Sequence, residues 1–189
     1  MATPRLTSVR VSGEVLILTG PPGAGKTTVA ELIASHASVP TVHLTTDLFY
    51  RAIRTGYVPP YLPEAQRQNE VVIAAIVAAV ASYARGGYDV VVDGIVGPWF
   101  LAPFRGLVRH RRLAVSYVVL RPNLATALSR AQARSGDELL AADAITGLYG
   151  QFAWLNEYES HVINTTSLDV ARTAAEVRRA VASPRYRLR

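Results

Sequence analysis

Short apolar runs alternate with longer amphipathic segments along most of the chain. The apolar runs predict five strands, at residues 14–19, 41–44, 88–92, 113–120 and 161–164. The segments between and after them predict helices at residues 27–37, 47–55, 64–85, 98–109, 123–134, about 144–160 and 166–182. Because strands and helices alternate, we expect an α/β fold with a parallel, doubly wound sheet and helices on both faces. A length of 189 residues predicts a single domain over residues 1–189.

Polar residues predict where three of these helices begin. Thr46 and Asn123 each stand just before a helical pattern and are typical N-cap residues. The sequence from Thr166 to Asp169 fits a capping box at the start of the last helix.

The sequence from Gly20 to Thr28 matches the phosphate-binding loop pattern G-x-x-x-x-G-K-[ST] in full, between the first strand and the first helix. Glycines allow backbone N–H groups to turn toward an anion, and the following helix adds the positive end of its dipole. Lys26, the only lysine, can reach the β- and γ-phosphates, and the Thr27 hydroxyl can ligate Mg²⁺. We therefore predict nucleoside triphosphate binding by Gly20, Pro21, Pro22, Gly23, Ala24, Gly25, Lys26, Thr27 and Thr28.

Composition narrows the class of protein. The net charge is +6, and many basic residues lie in residues 105–112 and near the C-terminus. Without interleaved aromatic residues, these patches favour solvated helix faces over nucleic-acid contacts, although a pocket for an anionic substrate also fits the charge.

The absence of cysteine excludes disulfides and thiolate metal sites. The longest apolar run, residues 71–81, is too short to span a bilayer, and the N-terminal residues lack a signal-peptide pattern, so we expect a cytoplasmic protein without membrane contact.

Ligands of such sheets lie at the carboxyl ends of the strands, which makes polar residues there candidates for chemistry. Asp47 follows the second strand, and Tyr50, Arg51 and Arg54 share its helix face at i+3, i+4 and i+7. Asp47 can accept the proton of an attacking substrate hydroxyl, and the arginines can hold an anionic acceptor.

Asp93 follows the third strand, where P-loop proteins carry the Walker B carboxylate. It can hold Mg²⁺ through water together with Thr27, or contact the acceptor, so the choice of base between Asp47 and Asp93 stays open. Arg130 and Arg134 lie four residues apart, before a polar bend that can act as a flap at about residues 134–145, and can supply cations to the transferred phosphoryl group. Candidate walls of an acceptor pocket are Trp99, Phe100, Tyr57 and Tyr61.

On these motifs the chain resembles small P-loop kinases of nucleoside-monophosphate-kinase-like fold, particularly the chloramphenicol phosphotransferase-like and zeta-toxin-like branches. The resemblance rests on residues 20–28, 46–51 and 91–94 and the pair at 130 and 134, within about 14–182. It implies a three-layer P-loop NTPase fold with strand order 2-3-1-4-5 and ATP as the donor. It also implies Asp47 as the base and Arg130 and Arg134 as flap arginines. It places adenine near residues 165–167, which makes Thr166 a candidate nucleotide contact.

Together these features predict ATP-dependent transfer of the γ-phosphate to a hydroxyl of a small molecule, an antibiotic or a metabolite. One alternative is a regulatory or nucleic-acid-associated ATPase, which would bind nucleic acid in a salt-dependent way and show no acceptor-stimulated turnover. Another is a zeta-toxin-like sugar-nucleotide kinase. A GTPase is disfavoured because no second lysine can supply Asn-Lys-x-Asp, and a mechanical ATPase because Gly94, not glutamate, follows Asp93. The identity of the acceptor and the oligomeric state stay open.

Overall fold

The computed structural model describes residues 12–133 and 142–189, and a five-stranded parallel sheet forms the centre of this part. The strands are, in chain order, β1 (Val15–Thr19), β2 (Thr41–Thr45), β3 (Asp89–Asp93), β4 (Val115–Leu120) and β5 (Val162–Ile163). They are arranged β2-β3-β1-β4-β5, and every neighbouring pair is parallel. The α/β class and the predicted strand order are confirmed.

Helices cover the sheet on both sides. The α-helices in the described part are α1 (Lys26–Ser35), α2 (Thr46–Arg51), α3 (Gln66–Arg85), α4 (Leu101–Arg111), α5 (Leu124–Gln132), α6 (Ala142–Gln151) and α7 (Val170–Ala182). Short 3₁₀ helices occur at Pro63–Ala65, Pro98–Phe100, Asn156–His161 and Pro184–Tyr186. No helix of residues 12–133 or 142–189 is long and apolar enough to cross a bilayer.

The core divides into two layers because successive strand residues point to opposite faces of the sheet. Val15 and Ile17 of β1 lie in the larger cluster, with side chains of α3 and α4. Leu16 and Leu18 lie in the smaller cluster, with side chains of α1 and α7. All five residues of β1 are buried, as expected for a central parallel strand covered on both faces.

Two of the three predicted helix caps differ from the structure. Asn123 caps α5 as predicted, accepting a hydrogen bond from the backbone N–H of Thr126 at 2.8 Å. The prediction for Thr46 is wrong by one position, since Thr45 holds the extended N-cap conformation and Thr46 is the first residue of α2.

The predicted capping box at the start of α7 is also wrong. The cap is Asp169, whose carboxylate accepts a hydrogen bond from the backbone N–H of Arg172 at 2.7 Å. The hydroxyl of Thr166 has other partners: it accepts from the backbone N–H of Asn123 at 2.8 Å and donates to Asn164 Oδ1 at 2.7 Å. Thr166 therefore joins the segment after β5 to the start of α5.

Two helices end earlier than predicted. The helix predicted to reach residue 55 ends at Arg51, so Arg54 lies beyond α2 and the predicted i+7 face shared with Asp47 does not form. The helix predicted to reach about residue 160 ends at Gln151. Asn156 has a positive φ of 51°, which a continuous α-helix excludes, and it is the first residue of a 3₁₀ helix.

His161 is buried among aromatic rings at the entry to β5. Only 6% of its surface is exposed, and its ring lies 5.2 Å from Tyr158, 5.8 Å from Tyr117 and 5.6 Å from Tyr186, centroid to centroid. Its Nδ1 donates to the backbone carbonyl of Tyr117 at 2.8 Å. Burial lowers the pKa of His161 below its ordinary value of 6.5; the hydrogen bond opposes this shift, and nearby Arg185 adds to it.

This burial predicts a loss of stability on mild acidification. Between the lowered pKa of folded His161 and the value of 6.5 in the unfolded chain, the unfolded state binds more protons, so the free energy of unfolding falls as the pH drops below about 6.5. Urea titrations at about pH 7.5 and about pH 5.5 measure the difference. His161→Asn keeps a donor for the Tyr117 carbonyl but does not titrate, and we expect a smaller pH dependence. His110→Asn, at an exposed site on α4, should behave like wild type. Equal pH dependence in wild type and His161→Asn would contradict this prediction.

Candidate active site

The phosphate-binding loop connects β1 to α1 at the carboxyl edge of the sheet. Gly25 is the N-cap residue of α1, and the helix begins at Lys26. The Lys26 side chain turns back over the loop and its Nζ donates to the backbone carbonyl of Pro21 at 2.9 Å. The first backbone N–H groups of α1 and the lysine ammonium therefore lie at one end of the same helix. This arrangement suits a polyphosphate.

Two glycines of the loop are needed for different physical reasons. Gly23 has a φ of +76°, and a Cβ there would lie 2.0 Å from the carbonyl oxygen of Ala127 in α5. Gly25 has a φ of +83° but no neighbouring atom within 4 Å of the position of a Cβ. Gly23 therefore permits both the left-handed backbone and the close approach of α5, whereas Gly25 permits the backbone conformation alone.

Alanine substitutions should separate these two effects. Gly25→Ala is expected to lower the free energy of unfolding by about 1–2 kcal/mol, the cost of a left-handed non-glycine residue. Gly23→Ala adds a clash with the α5 backbone, so its loss of stability should be larger. Gly147→Ala, in α6 with open space around the new Cβ, serves as the control and should be neutral or stabilising by up to about 1 kcal/mol. Urea unfolding measures all three; equal losses for Gly23→Ala and Gly25→Ala would contradict the packing argument.

Asp93 lies at the end of β3 beside the first turn of α1. Its side chain is 1% exposed, and both carboxylate oxygens have a partner. Oδ2 accepts the hydroxyl proton of Thr27 at 2.6 Å, and Oδ1 lies 2.6 Å from His43 Nε2 in β2. The structure therefore brings together the two predicted metal-binding residues and adds His43, which the sequence patterns did not identify as part of the site.

The donor set fits Mg²⁺ bound together with phosphate oxygens. Because Thr27 gives its proton to Asp93, the lone pairs of its hydroxyl oxygen remain for a cation. Hydroxyl, carboxylate and water oxygens are the ligands that Mg²⁺ prefers. Within residues 12–133 and 142–189, no cluster of three or more His, Cys, Asp or Glu side chains could hold a metal ion. A cation at Thr27 and Asp93 would therefore need phosphate and water oxygens as its other ligands.

The start of α2 packs against the backbone that follows β3. A Cβ at Gly94 would lie 1.9 Å from Thr46 Oγ1, so the two strand ends are in close contact. Asp47, in the first turn of α2, is exposed and therefore stands beside the strand end that carries Asp93. Arg51 lies in the last turn of α2 and Arg54 lies beyond it; both are exposed.

Tyr50 lies on α2 close to Asp47 and forms a hydrogen bond with α3. Its hydroxyl donates to Asn69 Oδ1 in α3 at 3.1 Å. Burial, together with smaller contributions from the nearby Tyr57 and Asp47, raises the pKa of Tyr50 to about 12. The structure thus brings together Asp47, Tyr50 and Tyr57, with a Tyr50 hydroxyl that stays protonated at neutral pH.

Side chains of α3 attach the loop of residues 56–62 to the domain. Gln68 forms two hydrogen bonds with the backbone of Val58, donating to its carbonyl at 2.7 Å and accepting from its N–H at 2.9 Å. Asn69 donates to the carbonyl of Pro60 at 2.8 Å. Large apolar side chains on this loop and on α2 remain exposed: Leu48, Tyr57, Tyr61 and Leu62.

Trp99 follows the loop after β3 and is 48% exposed. Its indole covers Gly97, where a Cβ would come within 2.2 Å of the ring, and lies 5.8 Å from the ring of Phe152, centroid to centroid. One face of Trp99 is therefore packed and much of its surface is accessible to solvent.

A cleft of about 250 Å³ lies between the phosphate-binding loop, Arg130 and residues 168–173. Arg130 Nη2 donates to the carbonyl oxygens of Leu168 at 3.3 Å and Thr165 at 3.4 Å. The cleft borders Leu168 and Asp169, whereas the Thr166 hydroxyl is engaged with Asn123 and Asn164. Arg134 and residues up to 141 of the predicted flap lie outside the described residues.

The chain was compared with known protein families and with known proteins. A family model described as an AAA domain matches residues 15–147, most of the chain. A search of curated proteins finds no significant sequence match.

Solved structures with the same fold include several kinases. A gluconokinase from Sinorhizobium meliloti 1021 superimposes with a TM-score of 0.65 at 18% identity, over 92% of this chain and 93% of that one. A shikimate kinase from Acinetobacter baumannii, in complex with shikimate, gives 0.62 at 20% identity, over 91% and 94%. The tunicamycin resistance protein of Deinococcus radiodurans gives 0.67 at 17% identity, over 89% and 95%. At these identities the likeness establishes a shared fold.

Proposed function

This chain belongs to the AAA domain family of P-loop proteins, and we propose from its site that it is an ATP-dependent kinase that phosphorylates a hydroxyl of a small molecule. The observation that carries the proposal is the group formed by Lys26, Thr27 and Asp93, with Asp47 at the adjoining strand end. A phosphate site facing a carboxylate is what phosphoryl transfer to a hydroxyl requires. The gluconokinase and shikimate kinase of the same fold support this reaction class.

In the proposed reaction the triphosphate binds along the phosphate-binding loop, with Lys26 against its terminal phosphates. Thr27 and Asp93 would hold Mg²⁺, which would neutralise charge on the β- and γ-phosphates. The acceptor oxygen forms a bond to the γ-phosphorus, the bond from that phosphorus to the β–γ bridging oxygen breaks, and ADP leaves. Asp47 takes the proton of the acceptor hydroxyl. Arg130, beside residues 23–25 of the loop, would contact the nucleotide, and Thr28 borders the same cleft.

The surroundings of the two carboxylates favour Asp47 over Asp93 as the base. Asp93 is buried, and Thr27 and His43 engage its two oxygens. Asp47 is exposed at the carboxyl edge of the sheet, where a substrate hydroxyl can reach it. A general base must come within hydrogen-bond distance of the proton that it removes.

The exposed apolar surface near Asp47 supports an acceptor with an apolar part. Leu48 is 60% exposed, and Tyr57, which interacts with Tyr50, is 48% exposed. Clustered apolar exposure on a soluble domain commonly marks a ligand site. We therefore place antibiotics and amphipathic metabolites ahead of small sugars as acceptors, in agreement with the chloramphenicol phosphotransferase-like resemblance. Trp99 would be a further contact.

Acceptor-dependent ADP release tests the proposal. The protein is incubated with Mg·ATP and a panel of hydroxyl-bearing antibiotics and metabolites, and phosphorylated product is confirmed by mass spectrometry. We expect at least one compound to stimulate ADP release well above the rate with ATP alone. Bound ATP without stimulation by any acceptor, together with salt-sensitive binding to DNA or RNA, would instead favour the regulatory alternative.

A further inference from the structure

We propose that His43 is a positioning residue of the phosphoryl-transfer site. Its Nε2–H holds Oδ1 of Asp93 and thereby keeps Oδ2 directed at Thr27, where the two side chains would hold Mg²⁺. The inference rests on the proposed function, since it concerns how the same site binds Mg²⁺ with ATP.

The sheet register brings His43 to this position. His43 of β2 lies opposite Val91 of β3, and Asp93 is two residues further along the same strand. Because side chains alternate, Val91, Asp93 and His43 lie on one face of the sheet, the face covered by α1. Diagonal neighbours of this kind are within reach of a long side chain. On the other side of β3 the register partner of Asp93 is Leu18, which is apolar.

A buried aspartate needs both contacts to be held in one orientation. The terminal torsion of an aspartate is broad and roughly two-fold, so the hydrogen bond from Thr27 alone would leave the carboxylate plane free to turn. Asp93 is 1% exposed, and an unpartnered carboxylate oxygen at such a site carries a large desolvation cost. Without the His43 donor, Oδ1 would turn toward another donor and move Oδ2 away from Thr27.

The chemistry of the contact also sets the direction of the hydrogen bond. A carboxylate oxygen can only accept, so the proton of the 2.6 Å contact lies on Nε2 of His43. Outer partners that orient metal-binding groups typically contribute 10–100-fold in metal affinity or activity when they are removed. The effect of losing His43 should therefore appear in the Mg²⁺ requirement, ahead of any effect on nucleotide binding without metal.

The test measures ATP binding by calorimetry across a range of Mg²⁺ concentrations, without acceptor. His43→Phe keeps a ring but has no donor, and we expect the Mg²⁺ concentration for half-maximal binding enhancement to rise about 10–100-fold. His43→Gln places an amide N–H near the position of Nε2 and should restore most of the wild-type requirement. ATP binding in EDTA should be the same in all three proteins. In turnover assays, kcat of His43→Phe should recover at high Mg²⁺.

His110→Phe, at an exposed histidine of α4, is the matched control and should leave the Mg²⁺ requirement unchanged. If His43→Phe does not fold, His43→Val, with a residue suited to a strand, takes its place. A folded His43→Phe or His43→Val with the wild-type Mg²⁺ requirement would overturn the inference, and so would an equal loss of ATP binding in EDTA. A wild-type protein that does not bind Mg·ATP would overturn the proposed function itself.

Discussion

Lys26→Ala is expected to lower kcat/KM for ATP by about 10²–10³-fold, as found when one preorganised donor to a developing charge is removed. Lys26 holds its ammonium group over the phosphate-binding loop by donating to the Pro21 carbonyl. Alanine removes both the charge and the reach of the side chain. Steady-state kinetics with varied ATP, together with ATP-binding calorimetry, measure the loss.

Two further variants sharpen this test. Arg178→Ala removes one positive charge from an exposed position on α7 and should leave the kinetics unchanged. Lys26→Arg keeps the charge, but its planar, larger head group differs from the compact ammonium, so we expect it to recover only part of the activity. Wild-type turnover in Lys26→Ala would show that the loop does not hold the triphosphate.

Asp47→Asn is expected to lower acceptor-dependent kcat by about 10²–10⁴-fold, the usual contribution of a general base. The amide has nearly the shape of the carboxylate but cannot take the hydroxyl proton. Affinity for Mg·ATP should stay at the wild-type level, because Asp47 lies in the first turn of α2, after β2, whereas the phosphate-binding loop follows β1. Single-turnover kinetics and calorimetry on the same protein separate the two effects.

Glu70→Gln, which neutralises an exposed carboxylate on α3, is the matched control for Asp47→Asn and should keep full turnover. Asp93→Asn should behave differently from Asp47→Asn, with a weakened Mg²⁺ dependence of ATP binding. Full acceptor-dependent turnover in Asp47→Asn would show that another group accepts the proton.

The α/β fold could be predicted because apolar runs typical of strands alternate regularly with amphipathic segments typical of helices. β1 is buried on both faces and reads as an uninterrupted apolar run, which is typical of a central parallel strand. The strand order was predicted from the family resemblance, because the alternation of strands and helices along the chain does not determine which strands are neighbours in the sheet. The ends of the helices were harder to predict. Thr45 and Thr46 are both possible caps, and only the backbone conformation distinguishes them.

The contacts of the candidate site could be predicted where its residues belong to a contiguous motif, and less well where the sheet register brings distant residues together. Lys26 and Thr27 stand in the phosphate-binding pattern. His43 has no motif around it, and its contact with Asp93 depends on the pairing of β2 with β3, 50 residues apart in sequence. The weak signal was its place on β2, two residues before the strand end. Arg54 was misplaced because its shared face with Asp47 required a longer α2.

The two-point contact of Gln68 with Val58, and the bond of Asn69 to Pro60, have a consequence for engineering. The conformation of residues 56–62 is encoded partly in a helix that begins after them. If this loop alone were transplanted into a protein of the same fold, it would lose these three hydrogen bonds. A successful chimera would have to carry residues 68 and 69 with the transplanted loop.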